Sequence, residues 1–345
     1  MAVEKIIIED FLLLAKEHPV FDVRSPGEYN HAHIPGAFSF PLFSDEERKV
    51  VGTTYKQQSR ELAIKTGLDY FGGKMRRMIE EAERIAGDHK TILVHCWRGG
   101  MRSAGVAWLL DLYGFKVYTL IGGYKQFRKW ALQQFEKEYF LTMLSGYTGS
   151  GKTYVLNGLK KNGSQVIDLE GLAHHKGSAF GNIGMPPQPS QEMFENKLAV
   201  ELSKLSSATP TWVEDESQRI GDVNIPITLW KQMRNKQVFF IDIPFEERLK
   251  HIVEEYGKLP KEKLVNAIIR IKKRLGGLET KEALNALVED RTEDSFRILL
   301  SYYDKWYLKG LHNREGLETL LYKIPCKTVA ESNFKDLLLQ EHHKL

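Results

Sequence analysis

The sequence predicts two α/β domains in tandem, each built on a parallel sheet with helices over its faces. Three observations carry this. Short β-branched runs recur ahead of helical periodicity, as in Thr91-Ile92-Leu93-Val94 and Val238-Phe239-Phe240-Ile241. Two glycine-rich stretches, His95 to Ser103 and Gly146 to Thr153, each follow such a run and precede helical spacing, which is where open α/β sheets keep their chemistry. At 345 residues, 42% hydrophobic and 27% charged, the chain is long enough for two cores and too ordinary in composition for disorder.

Composition also excludes classes. The two cysteines, Cys96 and Cys326, make no disulfide framework and suit a reducing compartment. No apolar stretch approaches the ~20 residues of a membrane span. Glu4, Glu9 and Asp10 around Ile6-Ile7-Ile8 do not read as a signal peptide, so the expected location is cytoplasmic. The net charge of +4 permits a polyanionic partner without requiring one.

Taken in order, Ile6 to Ala15 reads as a strand turning into a short helix, and Val20 to Arg24 as a second strand closed by Ser25-Pro26-Gly27. An insert over 42–88 follows, in which Gly67, Gly72 and Gly73 punctuate two expected helices; covering the sheet and binding substrate suit it equally. The strand 91–94 then delivers Cys96 into the loop Trp97-Arg98-Gly99-Gly100-Met101-Arg102. From Ser103, helical spacing sets the loop above a helix N-terminus. Loop amides, helix partial charge and the Arg102 guanidinium favour a thiolate, the form that attacks electrophilic sulfur, selenium or phosphorus. Five residues between Cys96 and Arg102 leave room for a tetrahedral oxyanion, held by Arg98, Arg102 and the amides of Trp97, Gly99, Gly100 and Met101. Residues 124–139, with Phe127, Trp130 and Phe135 at helical spacing, read as a connecting helix between domain 1–123 and domain 140–345.

The second domain opens with the strand Phe140 to Ser145, then Gly146-Tyr147-Thr148-Gly149-Ser150-Gly151-Lys152-Thr153 and a helix to Lys161. This is the P-loop pattern in its strand-to-helix context. Glycines let amides close around phosphate, Lys152 supplies a point charge, and Thr153 suits a magnesium ion if one is used. After the strand Gln165 to Asp168 comes a polar loop whose Asp168, Glu170, His174, His175, Lys176 and Ser178 are candidates for substrate contact; the paired histidines lack a third zinc ligand. The strand Thr211 to Val213 ends in Glu214-Asp215-Glu216, where an acidic group such as Asp215 would orient magnesium or water. Val238 to Ile243 is a fourth strand of a small kinase-like sheet. Helices are expected over 246–315, carrying the basic stripe Lys263, Arg270, Arg274 with Lys272 and Lys273 beside it. The crowded Tyr302, Tyr303, Trp306 and Tyr307 suggest core or domain contact before base stacking. Leu320 to Pro325 suits a last strand, Cys326 a structural role, and residues after Glu331 a terminal helix. His342-His343-Lys344-Leu345 carries no assignable chemistry.

Asp22-Val23-Arg24, Glu28-Tyr29, His33-Ile34-Pro35-Gly36-Ala37, Cys96, Leu120-Ile121-Gly122-Gly123-Tyr124 and Trp130 resemble the rhodanese family over roughly the first 130 residues. The Cys-x5-Arg loop is one residue longer than the sulfurtransferase form and is similar to the phosphatase branch. Rhodanese fused to a P-loop NTPase-like (kinase-like) domain with additional C-terminal helices, bearing Asp168-Leu169-Glu170-Gly171-Leu172-Ala173, His175-Lys176-Gly177-Ser178, Phe180-Gly181 and Glu214-Asp215-Glu216-Ser217, resembles the tRNA 2-selenouridine synthase family. Val51-Gly52-Thr53 and Tyr55-Lys56 agree as well. The family's arginine directly after Ser217 is replaced here by Gln218, with Arg219 following.

The resemblance implies a transferase acting on the wobble 2-thiouridine of tRNA. Geranyl diphosphate first alkylates the sulfur; selenium from selenophosphate then replaces the S-geranyl group through Cys96, which accepts it as a selenylsulfide, giving 2-selenouridine. Given a tRNA substrate, the basic stripe Lys263, Arg270, Lys272, Lys273 and Arg274 is expected to contact its phosphates; Gly67 and Arg219 are further substrate-contact candidates, and a monomer with a selenophosphate-producing enzyme as partner is expected. The competing reading is a rhodanese-like phosphatase or sulfurtransferase fused to an ATP-using domain acting on small molecules.

Overall fold

The computed structural model describes residues 3–342. Residues 1–2 and 343–345, which the expected domain bounds and the terminal histidine stretch include, lie outside the described residues. Two compact units emerge, one running through Gln134 and joined by Glu195–Val200, the other formed by Phe135–Phe194 and the chain from Glu201 onward.

The sheet of the first unit is parallel throughout. Strands β1 (Glu4–Ile6), β2 (Val20–Asp22), β3 (Phe38–Ser39), β4 (Thr91–His95) and β5 (Lys116–Leu120) lie in the order β1-β5-β4-β2-β3. Parallel neighbours need crossovers. Helices α1 (Ile8–Leu14), α2 (Pro26–His31), α3 (Asp45–Gln57), α4 (Arg60–Gly72), α5 (Met75–Ala86), α6 (Met101–Tyr113) and α7 (Gly123–Gln134) occupy the connections and the end of the unit. The chain runs outward from β2 to β3 and returns on the other side of β2 for β4, so the carboxyl ends of β2 and β4 flank a change of direction. Cys96 stands there, one residue past β4. Beneath it Phe21 stacks on Phe40 with centroids 4.5 Å apart, and Ile92, Val94, Val106 and Leu110 complete a fully buried core.

Two expectations change in this unit. The insert 42–88 holds three helices, α3 to α5, where two were expected. The backbone leaves the helical region at Gln58 (φ −121°, ψ −95°), and the Ser59 hydroxyl immediately caps a new helix by accepting the Leu62 amide at 3.1 Å. Gly67 is not punctuation but lies inside α4, where a Cβ would stand 3.3 Å from the ring of Phe43. The connecting helix, expected over 124–139, stops at Gln134. Beyond it, the Lys137 carbonyl accepts from Gln232 Nε2 at 2.7 Å and the Tyr139 amide donates to Gln232 Oε1 at 3.2 Å. A side chain thus takes bonds that another helical turn would have used.

The second unit repeats the architecture. After β6 (Leu141–Gly146) and α8 (Lys152–Lys161) come β7 (Gln165–Ile167), α9 (Leu169–Ala173), α10 (Gln191–Ser203, whose Glu195–Val200 belong to the first unit), β8 (Thr211–Glu214), the antiparallel pair β9 (Arg219–Ile220) and β10 (Val223–Asn224), α11 (Ile227–Arg234) and β11 (Val238–Asp242). With β12 (Leu321–Pro325), the parallel order is β12-β11-β6-β8-β7. The chain first fills one side of β6 and then crosses to the other, which makes the carboxyl end of β6 the switch point.

Helices α12 (Phe245–Tyr256), α13 (Lys261–Leu275), α14 (Gly277–Val288) and α15 (Thr292–His312) form the additional layer, with a core of their own around Phe180, Leu249, Ile268, Leu299 and Leu300. Short α16 (Leu317–Leu320), a 3-10 turn and α17 (Phe334–His342) finish the chain. No helix among the described residues is long and apolar enough to cross a membrane.

Candidate functional site

Each unit presents one site. In the first, the run after β4 coils over the N-terminus of α6 and leaves Cys96 only 3% exposed. Its sulfur lies 3.2 Å from the Ser103 hydroxyl and accepts the Gly100 amide at 3.3 Å. Burial pushes the thiol up, but hydrogen bonds from Ser103, the charge of Arg102 and the Arg98 amide outweigh it, so its pKa falls below the ordinary cysteine value. The loop holds this shape through a second turn. Tyr124 donates its amide to the Cys96 carbonyl at 2.8 Å and Lys125 to that of Trp97 at 3.0 Å. Gly123 adopts φ +58°, and a Cβ there would lie 2.3 Å from the Cys96 carbonyl oxygen.

Arg102 points into a partner the sequence reading did not assign. Its Nη1 donates to Glu28 at 2.6 Å, and Arg48 approaches the same carboxylate at 3.6 Å. Burial alone would raise the Glu28 pKa; Arg102 and the Ser25 amide hold it down. Trp97 and Arg98 are exposed beside the loop. Below, Arg24 clamps Asp22 by bonds of 2.6 to 3.0 Å, bonds the Ala32 carbonyl, and lies 3.8 Å from the Tyr124 ring centroid. Burial opposes ionisation of Asp22, but His95 and Arg24 keep its pKa low.

In the second unit the P-loop joins β6 to α8 with φ of +80° at Gly149 and +72° at Gly151. It lines a cavity of about 460 Å³. One half is polar, made by residues 148–153 with Glu170, Lys176, Ser178, Asp215 and Glu216; the other is aromatic and aliphatic, made by Phe180, Ile252, Tyr256, Phe296, Leu299, Leu300 and Tyr303. Enclosure opposes the charge on Lys152, yet Glu216, Glu170 and Glu214 outweigh it and raise its pKa, so the ammonium persists. The carboxylates pay for that arrangement. Desolvation and Glu170 push Glu216 up to about 8, and desolvation raises Glu170 and Glu214 as well. The Ser150 hydroxyl is buried without a partner among the described residues, as suits a group awaiting an oxyanion.

A frame behind the P-loop was not legible in the sequence. The Tyr307 hydroxyl meets Ser145 Oγ and accepts the Gly146 amide at 3.2 Å; desolvation leads the causes that push its pKa up to about 12, so it stays a donor. Arg248 is 3% exposed, donates to the carbonyls of Thr148 and Ile243, and grips Asp304 at 2.9 and 2.7 Å. Asp215 has both oxygens engaged, one by Ser145 at 3.0 Å and one by Arg314 at 2.5 Å. Among the described residues no group of three or more His, Cys, Asp or Glu could hold a metal ion.

Several candidates lie away from this cavity's lining. Asp168 caps α9 by accepting the Gly171 amide at 2.6 Å, and Glu214, fully buried, accepts the Leu169 amide at 2.7 Å. His174 bonds the Pro187 carbonyl at 2.8 Å; His175 is buried against Gly181 and Gly221. Arg219 bonds within its own turn to Gly221 and Asp222. Gly67 belongs to the first unit. Lys263, Arg270, Lys272, Lys273 and Arg274 are all exposed on α13, and Arg274 also lines the cavity.

Comparison with known proteins follows the same division. The family model described as the tRNA 2-selenouridine synthase AAA domain matches residues 140–324, and the Rhodanese-like domain matches 9–129. A tRNA 2-selenouridine synthase of Bdellovibrio bacteriovorus is 34% identical over 90% of this chain and 93% of its own length. That of Hydrogenovibrio crunogenus is 33% identical over 95% and 97%, and that of Nitrosomonas europaea 38% identical over 71% and 65%.

Proposed function

Because the chain belongs to the tRNA 2-selenouridine synthase family, we propose that it converts wobble 2-thiouridine in tRNA to 2-selenouridine in two steps, one at each site. In the first, geranyl diphosphate lies in the cavity of the second unit. The 2-thiouridine sulfur attacks carbon 1 of the geranyl group, the carbon–oxygen bond breaks and diphosphate leaves. Lys152, the P-loop amides and the Ser150 hydroxyl hold the departing charge. In the second, selenium from selenophosphate replaces the S-geranyl group at carbon 2 and geranyl thiolate leaves. Cys96 is the nucleophile: its thiolate attacks the phosphorus of selenophosphate and breaks the Se–P bond. The hydroselenide released is the selenium that attacks carbon 2. Water then cleaves the S–P bond to free the thiol and phosphate, while the ring of amides with Arg98 and Arg102 holds the phosphoryl group. The setting is the cytoplasm, where thiols such as Cys96 stay reduced.

One observation carries the first step: a single cavity joins a phosphate-binding loop to an apolar, aromatic half. A diphosphate bearing a hydrocarbon tail matches both halves. The test is nucleoside mass spectrometry on 2-thiouridine tRNA incubated with geranyl diphosphate alone. Wild type should yield S-geranyl-2-thiouridine and Lys152→Ala should yield none. Geranylation undiminished in Lys152→Ala would remove the P-loop from the step.

A further inference from the structure

We infer that Trp306, at the mouth of the second unit's cavity, is the platform on which the target base of the RNA substrate stacks; this rests on the reading that the substrate is tRNA. Crowding of aromatics in the sequence suggests core contact, and for Tyr303 and Tyr307 the structure agrees. Trp306 differs. It lines the cavity and is 42% exposed.

The cause is helical phase. On α15, Phe296, Leu299, Leu300, Tyr303 and Tyr307 recur at intervals of three and four and face the cavity. Tyr302, Trp306 and Lys309 follow the same interval one position out of phase; Tyr302 and Trp306 line the cavity there. Tyr302 stands 6.3 Å from Trp306, centroid to centroid. Two cations flank the indole: the Arg274 guanidinium lies 5.9 Å and the Lys309 ammonium 5.2 Å from its ring. An indole left open to water between two cations, above a phosphate-binding cavity, matches a ligand with a π face and a polyanionic backbone.

A nucleobase on a phosphodiester chain is that ligand. Arg274 ends the exposed basic stripe of α13, so phosphate contacts along Lys263 and Arg270 lead to the rim. An anticodon base is already single-stranded, so turning it onto a protein aromatic costs little. Stacked on Trp306, its sulfur faces the cavity in which the prenyl diphosphate would lie.

The experiment measures binding of an anticodon stem-loop RNA carrying 2-thiouridine by fluorescence anisotropy, and of geranyl diphosphate by calorimetry. Both are run on full-length wild type, Trp306→Ala and Trp306→Tyr. Loss of a stacked base should weaken RNA binding roughly 5- to 100-fold in Trp306→Ala, with Trp306→Tyr restoring most of it and geranyl diphosphate binding unchanged. RNA binding unaltered in Trp306→Ala, with geranyl diphosphate weakened, would overturn the inference and make the rim a cover for the hydrocarbon tail. A wild type that does not bind the RNA at all would overturn the tRNA reading itself, a result distinct from equal binding by wild type and variant.

Discussion

A free thiol ionises above neutrality and burial makes ionisation harder, yet the Cys96 pKa lies below the ordinary value because Ser103, Arg102 and the Arg98 amide favour the anion. Removing one of these groups should move its titration upward. Ser103→Ala is therefore expected to shift the pH profile of Cys96 alkylation to higher pH and to slow alkylation at neutrality, followed with a labelled iodoacetamide and mass spectrometry of the peptide. Arg24 makes the matching case for stability. Truncating it leaves Asp22 buried without its partner, and Arg24→Ala should cost about 3–5 kcal/mol in urea denaturation. The sign with pH follows from the lowered Asp22 pKa: its contribution is present above the unfolded carboxylate value and is lost as pH falls through the folded one. Cys96 and Lys152 were legible because each sits in a local motif. Arg248, Arg314 and Tyr307 were not, since their partners lie 56, 99 and 161 residues away.

Loops and helices show the same split between local and distant causes. The strand–loop–helix units around Cys96 and Lys152 follow from short β-branched runs, positive-φ glycines and helical periodicity, all within a dozen residues. The three-helix insert escaped because Ser59 reads as an ordinary helical residue until the kink at Gln58 makes it a cap. The connecting helix was overextended because what ends it, Gln232, lies on α11. The Gly122-Gly123 turn that opens α7 acts as a clamp on the Cys96 loop, and Gly123→Ala tests it. A Cβ would meet the Cys96 carbonyl oxygen at 2.3 Å in a backbone region that side chains rarely adopt. Selenium incorporation should fall at least about 10-fold, the effect of ~1.4 kcal/mol, while geranylation persists. Equal loss of both products would mean that the change acts beyond the loop.

At the level of the whole molecule, the division of the chain into a thiol unit and a P-loop unit was readable from composition and two motifs, whereas the cavity was not. Its apolar half is assembled from α12, α15 and Phe180, whose sequences read only as amphipathic helices and a polar loop. The basic stripe was legible from helical spacing rather than from the net charge of +4, and the structure leaves Lys263, Arg270, Lys272, Lys273 and Arg274 exposed on α13. If they meet phosphates, Arg270→Gln should weaken tRNA binding similarly across tRNA sequences and lower the salt-dependence slope by about 0.7–0.9, read from binding isotherms at several salt concentrations.

Separate chemistry in the two units is tested by mass spectrometry of nucleosides from 2-thiouridine tRNA incubated with geranyl diphosphate and selenophosphate, comparing wild type with Cys96→Ala. Wild type should make 2-selenouridine, and Cys96→Ala should stop at S-geranyl-2-thiouridine. Wild-type levels of 2-selenouridine from Cys96→Ala would contradict the assignment of selenium transfer to the thiol.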